Sequence, residues 1–325
     1  MDNICHTLVG AALAKTGLER RTALGGTTLM IGANFPDIDV LAVPLGMSFE
    51  WRRGVTHGVL ALVVLPVVLT GIMLAWDRLV RRRRGKDRPA ADPRALLLLS
   101  AISILSHPVL DWMNVYGVRW LMPFDGTWFY GDALFIVDPW IWGALAVGVV
   151  AARRRWRRGD LPTAARKPAA WALGLVSAYI VAMFALGIVA ESRARRAFAE
   201  AGVGQADRIM AAPVPVNPLR RQIVASFDDG AEYRFADLRW TPAATFELTD
   251  FTLESGMASP IADRARATAR GAGFLQWARF PFVTLEGLRS DASVWIGDAR
   301  YSVDARISWA AIRIDLPADT LSVRE

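Results

Sequence analysis

The sequence predicts an all-α transmembrane helical bundle of about six helices, some short or re-entrant, followed by a small β-rich (α+β) soluble domain. Hydrophobic residues make up 53% of the 325 residues and charged residues only 21%. Several nearly uncharged stretches approach the ~20 helical residues that cross a hydrocarbon core. After residue 190 the sequence instead alternates apolar and polar residues, as strands do. This composition excludes wholesale disorder, and the single cysteine, Cys5, excludes both a disulfide scaffold and a multi-thiolate zinc site.

Six helices are expected within residues 1–190. The apolar stretches that predict them are, in chain order, 3–16, 22–35, 55–76, 95–110, 133–152 and 169–190. The first two are short for a span, so we expect them to be tilted, re-entrant or packed inside the bundle. The stretches 55–76 and 169–190 contain no formal charge and are each 22 residues long, which is enough to cross a bilayer.

The distribution of Lys and Arg predicts how these helices are oriented. Segments 77–94 and 153–168 carry eight and seven Lys/Arg residues, whereas 36–54 and 112–132 together carry only three. Because cytoplasmic loops are enriched in Lys and Arg, the basic segments are expected in the cytoplasm and both chain termini outside it. The net charge of +7 lies in dense runs beside apolar segments, which favours an anionic membrane surface over a nucleic-acid partner.

The sequence beyond residue 190 predicts an extracytoplasmic domain. Within 191–218, a polar helix is expected over 191–206 and a proline-rich connector over 211–218, and the β-rich domain is expected over 219–325. Alternating apolar residues predict strands in the segments QIVASF, EYRFADLRW, SVWIGDARYSV and ISWAAIRID. Residues 260–272 are predicted to form one helix.

Five short motifs carry the unusual polar residues of the first 140 positions. They are D-N-I-C-H at 2–6, N-F-P-D-I-D at 34–39, R-R-G-V-T-H-G at 52–58, S-H-P-V-L-D-W-M-N at 106–114 and G-D-A-L-F-I-V-D-P at 131–139. Under the predicted topology all five lie at the outer membrane face. The orientation follows from loop charge alone, so this agreement is partly independent evidence for a common site.

The residue types in these motifs predict a metal site. Imidazole and carboxylate together suit Zn²⁺, and Mn²⁺ or Fe²⁺ also accept them. His107 and Asp111 are four residues apart and therefore lie on one helix face. Several carboxylates at a partly buried bundle end would repel one another without cations. The expected metal ligands are His6, Asp37, His57, His107, Asp111, Asp132 and Asp138. They exceed what one tetrahedral ion needs, so we expect one to three ions.

Each of these residues also has a structural alternative. A histidine near a helix start can simply form a hydrogen bond there, and His57 alone would be an ordinary interface histidine. Asp37 and Asp39 can form a turn after a proline. Asp132 and Asp138 can cap the fifth helix.

Together, the five motifs resemble the bacterial membrane-bound, metal-dependent hydrolase family of YdjM/YbcI type. The resemblance covers roughly residues 1–190. Segments 217–219 and 274–281 look like the tail domain of longer members, although Arg220 follows N-P-L where the family pattern has Trp. The resemblance implies a hydrolase of the inner membrane, distantly similar to the zinc-dependent phospholipase C and S1/P1 nuclease group. On that analogy the zinc ligands are His6, Asp37, His57, His107, Asp111 and Asp132, with Asp39 and Asp138 in support.

We therefore expect a multi-pass inner-membrane hydrolase that uses a metal-activated water to cleave a phosphoester, such as a lipid headgroup. Asp39 is the expected general base, and Arg53 is expected to stabilise developing negative charge. The expected partners are membrane lipids and a small-molecule or lipid phosphoester. One alternative is a non-catalytic membrane protein with a structural or regulatory metal site. A second is a metal or proton transporter, which would need ionisable groups near mid-depth.

Overall fold

A computed structural model describes most of the chain and divides it into two compact units. The described residues are 1–45, 52–85, 88–241, 244–286 and 293–315. The first unit comprises Met1–Ala185 and the second Leu186–Glu325. The final ten residues of the predicted β-rich domain, 316–325, lie outside the described residues.

Nine helical segments lie in the described part of the first 200 residues, more than the predicted six. Six are α-helices: α1 (Asn3–Lys15), α2 (Gly25–Gly32), α3 (Ala61–Trp76), α4 (Pro93–Trp112), α5 (Pro139–Arg157) and α6 (Pro162–Glu200). Three are shorter: the 3-10 segments Leu18–Arg20 and Phe35–Leu45 and the π segment Asp77–Arg81, which extends α3. The count of six was too low because such tight or wide turns lack the 3.6-residue period by which helices are found in a sequence.

Three helices among the described residues are long and apolar enough to cross a membrane. They are Ala61–Arg81, Pro93–Trp112 and Pro162–Glu200. α1 and α2 have 13 and 8 residues, or roughly 20 and 12 Å at the helical rise, and fall short of a core of about 30 Å. α5 has 19 residues, but its last turn carries three arginines.

Acidic residues and prolines fix where the helices begin. The Asp2 carboxylate accepts hydrogen bonds from the first turn of α1. Asp92 caps α4 and Asp138 caps α5, and in both helices a proline, Pro93 or Pro139, is the first helical residue. This combination is favoured because the first turn has unpaired amides and proline needs none.

One end of the bundle, which we call the site end, collects the motif-bearing helix termini. The Asp2 amide donates to the Ile136 carbonyl at 3.1 Å. An isolated bridge pairs Asn114 with Leu134. The start of α1, the end of α4 and the start of α5 therefore meet at the site end.

The opposite end, which we call the basic end, collects the arginine-rich connections. The Asp92 amide at the start of α4 donates to Thr22 Oγ1 at 2.7 Å. The Arg20 guanidinium lies 3.5 Å from the ring centroid of Trp156 near the end of α5. The connections that follow α1, α3 and α5 thus share this end, as the loop charges predicted.

Close helix contacts hold the bundle together along its length. Leu69 and Met73 of α3 pack with Leu96 and Ile104 of α4 in one buried cluster. A Cβ at Gly32, the last residue of α2, would clash with the side chain of Ser103 on α4. The absence of a side chain there lets α2 and α4 approach closely, which places the segment after α2 beside the end of α4.

The second unit is an α+β domain built on two antiparallel sheets. The first sheet has the order β1 (Arg208–Pro213), β2 (Arg220–Phe227), β3 (Glu232–Arg239) and β4 (Thr245–Glu254). The second has the order β5 (Pro281–Glu286), β6 (Ser293–Asp298) and β7 (Ala311–Asp315). Between them in the chain are α7 (Pro260–Arg266) and α8 (Ala269–Trp277).

Three strands and one helix break were not predicted. β1 is buried along almost its whole length and β4 is mostly exposed, so neither alternates, and β5 does so only weakly. β1 includes 211–213, the first residues of the stretch predicted as a proline-rich connector. The prediction of a single helix over 260–272 is wrong. α7 ends at Arg266, and Thr268 caps the start of α8 by accepting a hydrogen bond from the Gly271 amide at 3.0 Å.

Candidate metal centre

Four side chains at the site end converge on one point. Asp37, His57, His107 and Asp111 each offer one ligand atom, and these atoms lie within 4.8 Å of one another. His107 and Asp111 share one face of α4, Asp37 lies in the 3-10 segment after α2, and His57 lies in the turns that precede α3. All four were predicted from the sequence as metal ligands.

Four of the six separations between these atoms are close to those of ligands around one metal ion. His107 Nε2 is 3.2 Å from His57 Nε2, 3.4 Å from Asp37 Oδ1 and 3.5 Å from Asp111 Oδ2. His57 Nε2 is also 3.5 Å from Asp111 Oδ2. Ligands bound to zinc at ~2.0–2.1 Å in a tetrahedron are about 3.3 Å apart. Four of the six separations are close to this value, and all four atoms lie within 4.8 Å of one another, so the group could hold a metal ion.

Both imidazoles are oriented by contacts to their other ring nitrogen. His107 Nδ1 is 2.7 Å from the Ala33 carbonyl oxygen, which can only accept a hydrogen bond, so Nδ1 donates. His57 Nδ1 is 2.9 Å from Thr56 Oγ1 and 3.6 Å from Asp39 Oδ2. In both rings Nε2 therefore faces the other ligand atoms, which is the usual arrangement of metal-binding histidines.

Asp111 is the carboxylate on which the surrounding groups converge. It is buried, its Oδ2 lies 2.9 Å from Arg53 Nε, and its Oδ1 lies 3.2 Å from His6 Nε2. The amino group of Met1 also forms an ion pair with Oδ1. The contact between Met1 and Asp111 was not predicted from the sequence, because the two residues are 110 positions apart and no spacing rule connects them.

His6 lies beside the four-atom group without belonging to it. Its ring stacks on that of His107 with centroids 3.8 Å apart and an interplanar angle of 21°. Its Nε2 approaches the Asp111 oxygen that faces away from His107. His6, which was predicted as a ligand, thus lies in the immediate surroundings of the site.

The two predicted catalytic residues both lie at the edge of the group. Arg53 Nη1 donates to Asn114 Oδ1 at 3.1 Å and to the Gly117 carbonyl at 3.3 Å. Asp39 Oδ2 accepts from the Arg53 amide at 2.7 Å. Arg53 has a φ of 48°, in the left-handed region, and this amide contact holds the strained turn in place. Asp39 therefore connects the turn that carries Arg53 to the ring of His57.

The structure does not bring Asp132 and Asp138 into the four-atom group. Asp138 Oδ1 accepts from the amides of Trp140 and Ile141, and Oδ2 accepts from the Tyr179 hydroxyl at 2.9 Å. These contacts agree with the capping alternative for Asp138. Asp132 lies between α4 and α5 and has a φ of 49°, in the left-handed region.

The electrostatic surroundings favour the ligand forms of the two groups outside the candidate spans. Burial lowers the pKa of His57 below its ordinary value, which favours the neutral imidazole that binds metals. Burial alone would raise the pKa of Asp37, but the hydrogen bond to His107 and the charge interaction with His107 together outweigh burial, so the pKa of Asp37 is lower than its ordinary value. Asp37 is therefore a carboxylate at neutral pH.

The helical unit of the chain matches the model of a known protein family. Residues 1–193 match the family model described as YdjM inner membrane protein. The chain is 24% identical over 174 residues to "Uncharacterized protein YfhP" of Bacillus subtilis (strain 168), which covers 50% of this chain and 48% of that protein. The chain thus spans about half the length of the curated relative that it matches. No solved structure matches. All four ligand residues fall inside the matched region.

Proposed function

Because the chain belongs to the YdjM inner membrane protein family, we propose that it is an inner-membrane, metal-dependent hydrolase. The observation that carries this proposal is that ligand atoms of Asp37, His57, His107 and Asp111 lie within 4.8 Å of one another, and we propose zinc as the metal that they bind. A metal bound there would polarise a phosphoryl oxygen and make bound water acidic enough to act near neutral pH.

The exposure of the four ligands supports a site that substrate can reach. The side chains of His57, His107 and Asp111 are at most 1% exposed, whereas that of Asp37 is 27% exposed. The group is therefore closed on three sides and accessible beside Asp37. A catalytic metal needs such an open side, whereas a structural metal is closed by protein ligands.

The contacts of Arg53 support a role in positioning the carboxylate of Asp111. Its Nε is engaged by Asp111, and its Nη1 by Asn114 and Gly117. The ion pair with Arg53 holds the Asp111 carboxylate in place and balances its buried charge. The part of the guanidinium not used in these bonds is the group that we propose stabilises developing negative charge on a phosphoester.

Asp39 orients His57 in this proposal. It lies on the Nδ1 side of the ring, away from the Nε2 atom that faces the other ligands. A carboxylate in that position fixes the tautomer and raises the basicity of the ligand nitrogen. The role of general base, predicted for Asp39 from the sequence, would require it to reach water on the opposite side of the ring.

A phosphoester such as a lipid headgroup is the proposed substrate. The site lies at the ends of helices α1 and α4, and α4 is one of the candidate membrane spans. A site at the end of a spanning helix is at the depth of the polar headgroups rather than of the acyl chains. The metal, the carboxylates and the arginine are the groups that phosphoryl transfer requires.

The test combines metal content with hydrolysis. The full chain would be purified in detergent, loaded with zinc and assayed for bound metal and for cleavage of bis-p-nitrophenyl phosphate. His107→Ala and Asp111→Asn should lose the metal and at least ~100-fold of the activity, by comparison with other metal sites. Asp132→Asn, a predicted ligand outside the four-atom group, serves as the matched control and should keep both.

The outcomes separate the proposal from its main alternative. Metal bound through these residues without hydrolysis of any phosphoester would indicate the structural or regulatory metal site. Metal content unchanged in both His107→Ala and Asp111→Asn would overturn the site itself.

A transporter is less well supported by the interior of the bundle. The buried polar side chains between the site end and the basic end of α3 and α4 are hydroxyls, namely Thr70, Ser100 and Ser103, in the described part of these helices. A proton or metal pathway would be expected to place ionisable groups at this depth.

A further inference from the structure

A second cleft lies at the basic end, across the bundle from the metal centre. Its volume is about 320 Å³. It is lined by Thr16, Gly17, Leu18, Arg20, Arg21 and Arg166. The residues come from the connection between α1 and α2 and from the first turns of α6, so two separate parts of the chain build it.

The lining carries three positive charges and no negative one. The nearest acid in sequence, Glu19, is paired with Lys15 at 2.8 Å. Among the described residues, no ion pair involves Arg20, Arg21 or Arg166. Three guanidinium groups around one cleft repel one another, and an anion bound between them would relieve that repulsion.

Two of the three arginines are held in place by contacts within the bundle. The Arg20 guanidinium stacks over the Trp156 ring at 3.5 Å. The Arg166 side chain passes directly over Gly17, where a Cβ would clash with the guanidinium. Gly17 also has a φ of 105°, in the region that favours glycine, so both its conformation and its lack of a side chain fit this arrangement.

The depth of the cleft along α6 identifies the kind of anion. Arg166 lies five residues before Trp171 and nine before Leu175, or roughly 7 and 13 Å along the helix axis. The side chains of Trp171 and Leu175 are 76% and 63% exposed, and both lie on a helix that is a candidate membrane span. The arginines are therefore at the level of headgroup phosphates, with exposed apolar side chains beginning where acyl chains would follow.

We propose that this cleft binds the phosphate of an anionic phospholipid. Guanidinium groups form paired, charge-assisted hydrogen bonds with phosphate oxygens, and basic pockets between membrane helices are suited to anionic headgroups. The site is separate from the metal centre and does not depend on the proposed hydrolase activity.

The test measures the binding of phosphatidylglycerol to the full chain in a neutral detergent by native mass spectrometry. The double variant Arg21→Gln/Arg166→Gln removes two charges from the cleft and retains the contact between Arg20 and Trp156. The matched control is Arg153→Gln/Arg157→Gln, which removes two exposed arginines of the same end that do not line the cleft. Far-ultraviolet circular dichroism would confirm that the helices remain intact.

We expect the double variant to bind phosphatidylglycerol at least about tenfold more weakly, and the control to change by about twofold or less. Wild-type protein should bind phosphatidylcholine, which has no net charge, more weakly than phosphatidylglycerol. Unchanged affinity in Arg21→Gln/Arg166→Gln, or an equal loss in the control, would overturn the proposal. Binding of inorganic phosphate without binding of phosphatidylglycerol would also overturn it, because the cleft would then be a site for free phosphate.

Discussion

At the scale of single residues, the metal centre depends on the buried carboxylate of Asp111. Its Oδ2 is shared between Arg53 Nε and the Nε2 atoms of His57 and His107. A buried charge is tolerated only when such partners compensate it. The i, i+4 spacing of His107 and Asp111 made this pair predictable, because it puts both on one helix face. The contacts of Met1 and Asn114 were not predictable, because they join residues that are distant in sequence.

Removal of Arg53 should destabilise the metal-free protein. The Arg53→Met variant keeps much of the side-chain volume and leaves Asp111 without its closest guanidinium partner. We expect the free energy of unfolding to fall by ~3 kcal/mol, the usual cost of breaking a buried pair. Unfolding in mixed detergent micelles would measure it. The neighbouring Arg52→Met, at an exposed position, should cost less than about 0.5 kcal/mol. Equal losses in the two variants would show that the pair with Asp111 contributes nothing.

Asp39 should act on metal affinity through His57. Asp39→Asn keeps the shape of the side chain but weakens its interaction with His57 Nδ1 and with the Arg53 amide. We expect zinc affinity to fall by ~10–100-fold with the metal stoichiometry preserved at saturation. Competition with a chromogenic chelator would measure it, with Asp125→Asn, an exposed carboxylate, as the control. Complete loss of zinc would instead identify Asp39 as a direct ligand.

At the scale of elements, apolar stretches in the sequence predicted where the six α-helices lie but not all of their ends. The helix predicted over 55–76 begins only at Ala61, and residues 52–60 form turns that bring His57 to the site. These turns follow from tertiary contacts, such as the hydrogen bond from the Arg119 amide to the Arg53 carbonyl at 3.1 Å. Asp138 was predicted as a ligand but caps α5. This difference was not predictable, because a single sequence cannot distinguish an acid that caps a helix from one that binds a metal.

The close approach of α2 and α4 should control the geometry of the centre. Gly32→Ala would place a Cβ against Ser103 and push apart the two elements that carry Asp37 and His107. We expect a loss of roughly 1–3 kcal/mol in stability, the usual cost of overpacking, together with weaker zinc binding. Ser103→Gly in the same chain should restore part of both.

The control for this contact is Gly143→Ala in α5, where an added Cβ meets no atom within 4 Å. It should leave stability and zinc affinity close to the wild-type values. Similar losses in Gly143→Ala and Gly32→Ala would mean that the effect comes from the helix backbone and not from the contact between α2 and α4.

At the scale of the whole molecule, the family match and the three candidate spans make this an inner membrane protein, and the charge asymmetry of its loops predicts the orientation. An alkaline phosphatase fusion after residue 325 should be active, because that enzyme works only outside the cytoplasm. A fusion after Arg158, within the basic segment, should be inactive. The opposite pattern would reverse the topology and place the metal centre on the cytoplasmic side.

Two histidines from separate segments, His57 and His107, are proposed to bind one metal together. X-ray absorption spectroscopy of the zinc-loaded full chain measures it most directly, because imidazole ligands give a characteristic multiple-scattering signal. We predict four to five nitrogen or oxygen neighbours at ~2.0–2.1 Å, of which two are imidazoles, and one imidazole fewer in His57→Ala. A zinc spectrum without imidazole scattering, or one unchanged in His57→Ala, would show that these histidines do not bind the metal together.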